Sequence, residues 1–167
     1  MLIETQRLIV RDFNASDVGD LYEILGDEET MKNCEPAYDF DKTQNFLENF
    51  CVAKKDAVAA VHKDCKKVIG YILFKPLKES VYEIGWIFNK KYWRQGYAYE
   101  ACSTLISHGF LELDIHKVVA ETIDKKSVSL MEKLGMKREG VQRSQTKDNL
   151  GNWTDLYLYG ILQSDIK

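Results

Sequence analysis

A single α/β domain, a mixed sheet covered by helices on both faces, is what the sequence predicts, and three observations lead there. Its 167 residues, 45% apolar and 29% charged, suit one globular domain with a proper core and exclude a disordered chain. Runs of period two and stripes of period 3.6 follow one another in the order β-α-α-β-β-β-α-β-α-β-β. No repeat, linker or low-complexity segment interrupts that series.

The elements justify themselves in turn. "RLIVRDF" (7–13) alternates as a strand. Asn14, Ser16 and Asp17 offer caps for a helix through about Leu25, with Val18, Leu21, Ile24 and Leu25 on one stripe. "GDEETMKNCEPAYDF" (26–40) becomes acidic and loop-like, and Pro36 breaks any helix there. Asp41 or Thr43 then caps a second helix, whose Phe46, Leu47, Phe50 and Cys51 face one side. "AVAAVHK" (57–63) and "KVIGYILF" (67–74) flank a polar turn as an antiparallel hairpin. After the turn-like "KPLKES" (75–80), "VYEIGWIF" (81–88) puts Tyr82, Ile84, Trp86 and Phe88 on one face and Val81, Glu83, Gly85 and Ile87 on the other. Glu83 is the only charge in that strand. Residues 96–113 carry the clearest helical stripe, from Ala98 through Leu105 to Leu113. "KVVAETI" (117–123) reads as a buried strand, and "DKKSVSLMEKLG" (124–135) as a short helix capped by Asp124 and stopped at Gly135. "KREGVQ" (137–142) and "WTDLYLYGIL" (153–162) close the fold around a polar "KDNLGN" turn.

Several classes are excluded. No 18-residue apolar run exists, so no membrane span is expected, and the opening "MLIETQRLIV" is unlike a leader peptide. Cys34, Cys51, Cys65 and Cys102 are widely spaced without a C-x-x-C pair, and the three histidines do not cluster with them. That spacing argues against a disulfide framework or a metal site and for a reduced, cytoplasmic setting. Residues 1–41 hold 11 acidic and 3 basic residues, whereas the rest of the chain has a basic excess. Solvated helix faces account for this, and so does a cleft with one wall for a cation and another for an anion. No Lys/Arg cluster dominates, so nucleic acid is not an expected partner.

The stretch "YWRQGYAYEA" (92–101) joins a strand to the longest helix. The first backbone N–H groups of a helix lack internal partners and bind anions, phosphates above all. Gly96 and the small Ala98 leave room for a ligand, though they also suit tight packing of helix on sheet. Neither the Gly-Lys-Ser/Thr of a P-loop nor a G-x-G-x-x-G is present.

On these segments the chain resembles the GNAT N-acetyltransferase superfamily, and within it the ribosomal-protein N-acetyltransferases of the RimJ/RimL type. "IETQRLIVRDFNASDVGDLYEIL" is similar to that branch's opening strand and helix, and "YEIGWIFNKKYWRQGYAYEA" to its fourth strand and acetyl-CoA loop. "DKKSVSLMEKLGMKREG" is similar to its Asn-x-x-Ser helix and the signature after it, and "DLYLYGIL" to its last strand. The resemblance implies a mostly antiparallel sheet splayed between its fourth and fifth strands, acetyl-CoA as co-substrate, and no metal. It implies that backbone amides of Arg94, Gln95, Gly96, Tyr97, Ala98 and Tyr99 hold the pyrophosphate, and that Trp86, Ile87 and Phe88 pair with the pantetheine arm. Asp124 and Ser127 occupy the positions of the motif's asparagine and serine, on the cofactor's side. There are three departures. Trp93 stands where Gln or Arg usually opens the loop, as is common in the Rim-type branch. Lys90 replaces a proline, and Asp124 keeps the asparagine's capping role but, when ionised, cannot donate a hydrogen bond.

Direct attack of an amine on a thioester sets the remaining expectations. The amine, with a pKa of ~8 for an α-amino group or ~10.4 for a lysine, must lose a proton to a nearby base. Glu83 is the candidate, with a lysine-paired strand carboxylate as its plainer reading. A backbone N–H near Ile87 or Phe88 would receive the oxyanion. By the resemblance Ser127 lies close to the departing sulfur, although it equally suits the first turn of its helix; Tyr157 and Tyr159 are alternatives. Ser127, His116 and Asp114 do not make a hydrolase triad, because no Gly-x-Ser-x-Gly elbow exists. In the resembled fold the first two helices and their loop wall the acceptor, which assigns Glu35, Tyr38 and Asp39 to the acceptor side. The acceptor expected is a protein N-terminus or a small cationic amine, and a homodimer is left open. The competing reading is a catalytically silent acyl-CoA-binding module on the same fold.

Overall fold

The structure, a computed structural model, describes residues 1–166. The chain opens with β1 (Leu2–Glu4) and β2 (Leu8–Asp12), then α1 (Val18–Leu25), α2 (Glu28–Met31) and α3 (Phe40–Phe46). β3 (Ala57–His62), β4 (Val68–Lys78) and β5 (Val81–Phe88) lead to the long helix α4 (Tyr97–Glu112). β6 (Lys117–Thr122), α5 (Lys125–Lys133), β7 (Lys137–Lys147) and β8 (Trp153–Leu162) complete it. The eight strands form one sheet in the order β1-β2-β3-β4-β5-β6-β8-β7. Every neighbouring pair is antiparallel except β5 and β6, which a crossover through α4 joins in parallel.

Two cores lie on the two sheet faces, as the period-two pattern requires. On one face Ile84 and Phe88 of β5 join Cys102, Leu105 and Phe110 of α4 and Met131 of α5. On the other, Leu21 and Ile24 of α1 and Leu47 after α3 pack on Ala59 and Tyr71. The expected division of β5 into two faces is therefore the observed one.

The differences from the expected elements have local causes. β1, outside the expected set, pairs with β2 in a turn closed by Thr5, whose amide donates to the Leu8 carbonyl (2.9 Å). α3 starts two residues earlier than Asp41, and four earlier than Thr43, would place it, because the Asp39 carboxylate accepts from the Lys42 amide at 2.7 Å. Its C-terminal part, Leu47–Val52, widens to a π-helix. "KPLKES" is mostly strand: β4 runs on to Lys78, with Pro76 at a register irregularity that lets it stay without donating, and the reversal sits at Ser80 with φ +54°. β7 likewise extends to Lys147 through two register shifts.

Candidate active site

The parallel pairing of β5 with β6 is short. It holds at Val81–Lys117, Tyr82–Val118 and Glu83–Val119 and then ends, although both strands continue. Ser80 sends its carbonyl to the amides of His116 and Lys117 at 2.8 and 3.1 Å, and at the other end the Asn89 amide donates to Ile69 on β4 at 2.9 Å. Strand alternation therefore turns the backbone of even-numbered residues toward β6 and that of odd-numbered ones toward β4. Beyond the last pair, the Trp86 N–H and C=O and the Phe88 N–H face a fork in the sheet. The Phe88 carbonyl is taken by the Trp93 indole N–H at 2.7 Å. Of the three residues assigned to the pantetheine arm, Trp86 and Phe88 thus present backbone to the fork, whereas the Ile87 backbone pairs with β4.

At the end of the fork the chain turns through residues 89–96 into α4. Arg94 (φ +59°) and Gly96 (φ +81°) adopt left-handed backbone, which only glycine takes without cost. α2, α3 and α5 are each capped by an aspartate side chain, from Asp27, Asp39 and Asp124. α4 is not: its N-cap is Gly96 and no side chain accepts from its first turn. The amides of Tyr97, Ala98 and Tyr99 are left at the positive end of a 16-residue helix, an arrangement that fits a phosphate. Lys90 does not add to it, because its ammonium pairs with Asp27 (2.8 Å) and Glu29 (3.2 Å).

α5 begins where β6 leaves the fork. The Asp124 carboxylate accepts from the Lys126 amide at 3.1 Å, and the Ser127 hydroxyl is 3.4 Å from it. Asp124 is thus an N-cap, and Ser127 stands in the first turn beside it. Tyr157 lies opposite Thr122 at the fork end of β6, whereas buried Tyr159 donates to Glu132 at 3.2 Å and so serves the core.

The opposite sheet face carries two carboxylates, Glu83 and Glu121. Glu83 is half-buried and 3.5 Å from Lys75, its register partner on β4. Glu121, two residues beyond Val119 on β6, points to the same face from across the fork. Much of the Glu121 residue is open to solvent. Even so, local desolvation first and the Glu83 charge second raise its proton affinity above the ordinary carboxylate range, against Lys75. The sequence reading missed Glu121, because one acid in "KVVAETI" looks like an outward strand residue; its signal is the fork. Two residues past Glu83 on the same face of β5 lies Gly85, where an added Cβ would meet only Leu73, at 3.6 Å.

The expected acceptor wall flanks this face. Glu35 accepts from the Tyr38 hydroxyl at 2.7 Å, and desolvation followed by that carboxylate pushes the Tyr38 phenol far above its usual range. Lys42 lies over the Tyr38 ring at 4.1 Å and 3.8 Å from Glu35, and Asp39 caps α3. A shallow cavity of about 530 Å³ is lined by Tyr38, Asp39, Asp41, Lys42, Asn45 and Phe46. The hairpin of β7 and β8 reaches the same region, with Asn149 donating to the Met31 carbonyl at 3.1 Å. Among the described residues no cluster of histidine, cysteine, aspartate or glutamate could hold a metal, and no helix is long and apolar enough to cross a membrane.

Comparison with known proteins bears on this geometry. The family profile described as an acetyltransferase (GNAT) domain matches residues 7–137. The chain is 33% identical to an uncharacterised N-acetyltransferase, YnaD, of Bacillus subtilis (strain 168), over 99% of each chain. Its structure is similar to that of a GNAT-family acetyltransferase from Bacillus anthracis, with a TM-score of 0.90 at 30% identity, covering 98% of this chain and 99% of that one. It also shares its fold with a spermidine N-acetyltransferase from Vibrio cholerae solved with CoA and spermine, with a TM-score of 0.82 at 21% identity over 95% and 97% of the two chains.

Proposed function

This chain belongs to the acetyltransferase (GNAT) family, and we propose that it moves the acetyl group of acetyl-CoA to a primary amine, a protein N-terminus or a small cationic amine, by direct attack. The observation that carries this reading is the early end of the β5–β6 pairing, which leaves free backbone groups leading to an uncapped helix start. The pantetheine arm pairs with Trp86 and Phe88 as an added strand, and the pyrophosphate rests on the amides from Arg94 to Tyr99.

The two sheet faces divide the chemistry. From the face of Glu83 and Glu121 the neutral amine attacks the thioester carbonyl, forming the C–N bond. The oxyanion is held by a backbone N–H of the fork, that of Trp86 or Phe88. The C–S bond then breaks and the electron pair leaves on the CoA sulfur, beside Ser127 and Tyr157 on the other face. The amine's proton passes to the carboxylate pair. Within it Glu83 pairs with Lys75, and Glu121 is the better proton acceptor because its affinity is already raised. Glu35, Tyr38 and Asp39 form the outer wall, and charge-neutral variants there are expected to raise the acceptor KM at low salt.

A melting comparison tests the reading. Acetyl-CoA and CoA should raise Tm, by the equivalent of ~2.7 kcal/mol at a concentration ~100 times Kd, while ATP and NAD should not. Equal stabilisation by ATP or NAD would discard the CoA assignment. Binding of acetyl-CoA with no amine acetylated across N-terminal peptides, polyamines and amino-sugars would instead mark a silent acyl-CoA-binding module.

A further inference from the structure

We propose that Arg7 and Glu100 are positioning residues for the pyrophosphate-binding loop: a guanidinium–carboxylate clamp, reaching from the β1–β2 turn, aims that loop's backbone amides. The inference rests on the acetyl-CoA reading above and assigns a role to residues outside the family of contacts that reading uses.

The loop needs a holder. Two of its residues, Arg94 and Gly96, stand in left-handed conformation, which a non-glycine residue such as Arg94 adopts only under constraint. Within the segment the Gln95 side chain donates to the Lys91 carbonyl at 3.2 Å and the Trp93 indole to the Phe88 carbonyl. From outside it, Arg7 makes the decisive contact: Nη1 donates to the Gln95 carbonyl at 2.9 Å. A trans peptide holds its C=O and the following N–H on opposite sides. Fixing the Gln95 carbonyl toward Arg7 therefore turns the Gly96 N–H away from Arg7. The guanidinium also lies over the Tyr97 ring at 4.1 Å, so the same group grips the residues on both sides of Gly96.

Glu100 locks the guanidinium in place. Its Oε2 accepts from Arg7 Nε at 2.7 Å, and its Oε1 accepts from the Arg7 amide at 2.7 Å and the Thr5 hydroxyl at 2.6 Å. Burial alone would raise this carboxyl, but the hydrogen bonds from Thr5 and Arg7 outweigh it and hold the group below the usual carboxylate range. Glu100 is thus an anion in the first turn of the helix that must receive phosphate. Arg7 cancels that charge as well as aiming the peptide. Ordinary packing between a turn and a helix requires neither the hydrogen bond to a loop carbonyl nor the neutralisation of this one acid.

The test compares ligands with and without the pyrophosphate. Acetyl-CoA and S-acetylpantetheine are titrated into the full chain, followed by fluorescence of Trp86 and Trp93, for wild type, Arg7→Ala, Arg7→Lys and Glu100→Gln. Arg7→Ala is expected to weaken acetyl-CoA at least about tenfold, the scale of one lost charge-assisted hydrogen bond, and to leave S-acetylpantetheine unchanged. Arg7→Lys keeps the charge without the fork geometry and is expected to recover part of the loss. If Arg7→Ala does not fold, Arg7→Lys and Glu100→Gln carry the same comparison. Unchanged acetyl-CoA affinity in the folded variants, or equal losses for both ligands, overturns the clamp. A wild type that binds acetyl-CoA no better than S-acetylpantetheine overturns the pyrophosphate assignment instead.

Discussion

Glu83 and Glu121 carry the same functional group at the same fork, but in different surroundings. Lys75 answers the charge of Glu83, while Glu121 meets desolvation and a like charge. Glu121→Gln is therefore expected to lower kcat by ~10² or more, with a smaller loss for Glu83→Gln, as steady-state kinetics with a working acceptor will show. The same substitution has an opposite effect on the fold. A carboxyl whose folded pKa is raised is destabilising once ionised, so above the unfolded value near ~4.3 removing its charge should keep or raise Tm. A fall in Tm together with unchanged kcat would contradict both statements. Glu83 was legible in the sequence as the lone charge in "VYEIGWIF". Glu121 was not, since its importance lies in a pairing that stops, and a register ending is not written in either strand alone.

Among the elements, caps decide more than propensities. Asp124 was readable as the start of α5 because an acid precedes a helical stripe, and the structure confirms the side chain on the Lys126 amide. Asp124→Asn should leave Tm nearly unchanged, since both residues cap well, whereas Asp124→Ala should cost about 1 kcal/mol in chemical denaturation. Asp39 was not recognised as a cap, because two further candidates follow within four residues and local sequence does not rank them. The join of β4 to β5 depends on Gly70, where an added Cβ would stand 2.5 Å from the Phe88 ring. Gly70→Ala should destabilise the fold by about 1–3 kcal/mol through overpacking, and by moving Phe88 it should also weaken acetyl-CoA binding. Intact Tm in this variant would show that Phe88 has room to shift.

For the molecule as a whole, the acidic first quarter of the chain is largely answered by ion pairs, from within it and from later segments. Arg11 grips buried Asp17 with two hydrogen bonds, Lys67 pairs with Asp20 and Glu23, and Lys90 with Asp27 and Glu29. The charge imbalance visible in the sequence is thus mostly a fold-level ion-pair pattern, and only a tertiary structure could reveal its partners. Two of the carboxyls in the molecule's bridging contacts titrate low: Asp27 chiefly through its hydrogen bond from Lys90, and Glu100, where hydrogen bonds overcome burial. Depressed groups contribute stability that is complete above their unfolded values near ~4 and is lost as pH falls through their folded ones. Denaturation midpoints should accordingly hold from neutrality down to about pH 5 and drop below pH 4, less so in Asp27→Asn.

The fork also parts the sheet between its two faces, where the β5–β6 pairing ends. In the proposed reaction acetyl-CoA would lie along one side of it and the amine would arrive from the other, so neither would have to depart to admit its partner. Such a layout would call for no acyl-enzyme. Initial-rate plots against the two substrates should intersect, the signature of a ternary complex, and a parallel pattern would mean that the fork is used by one substrate at a time.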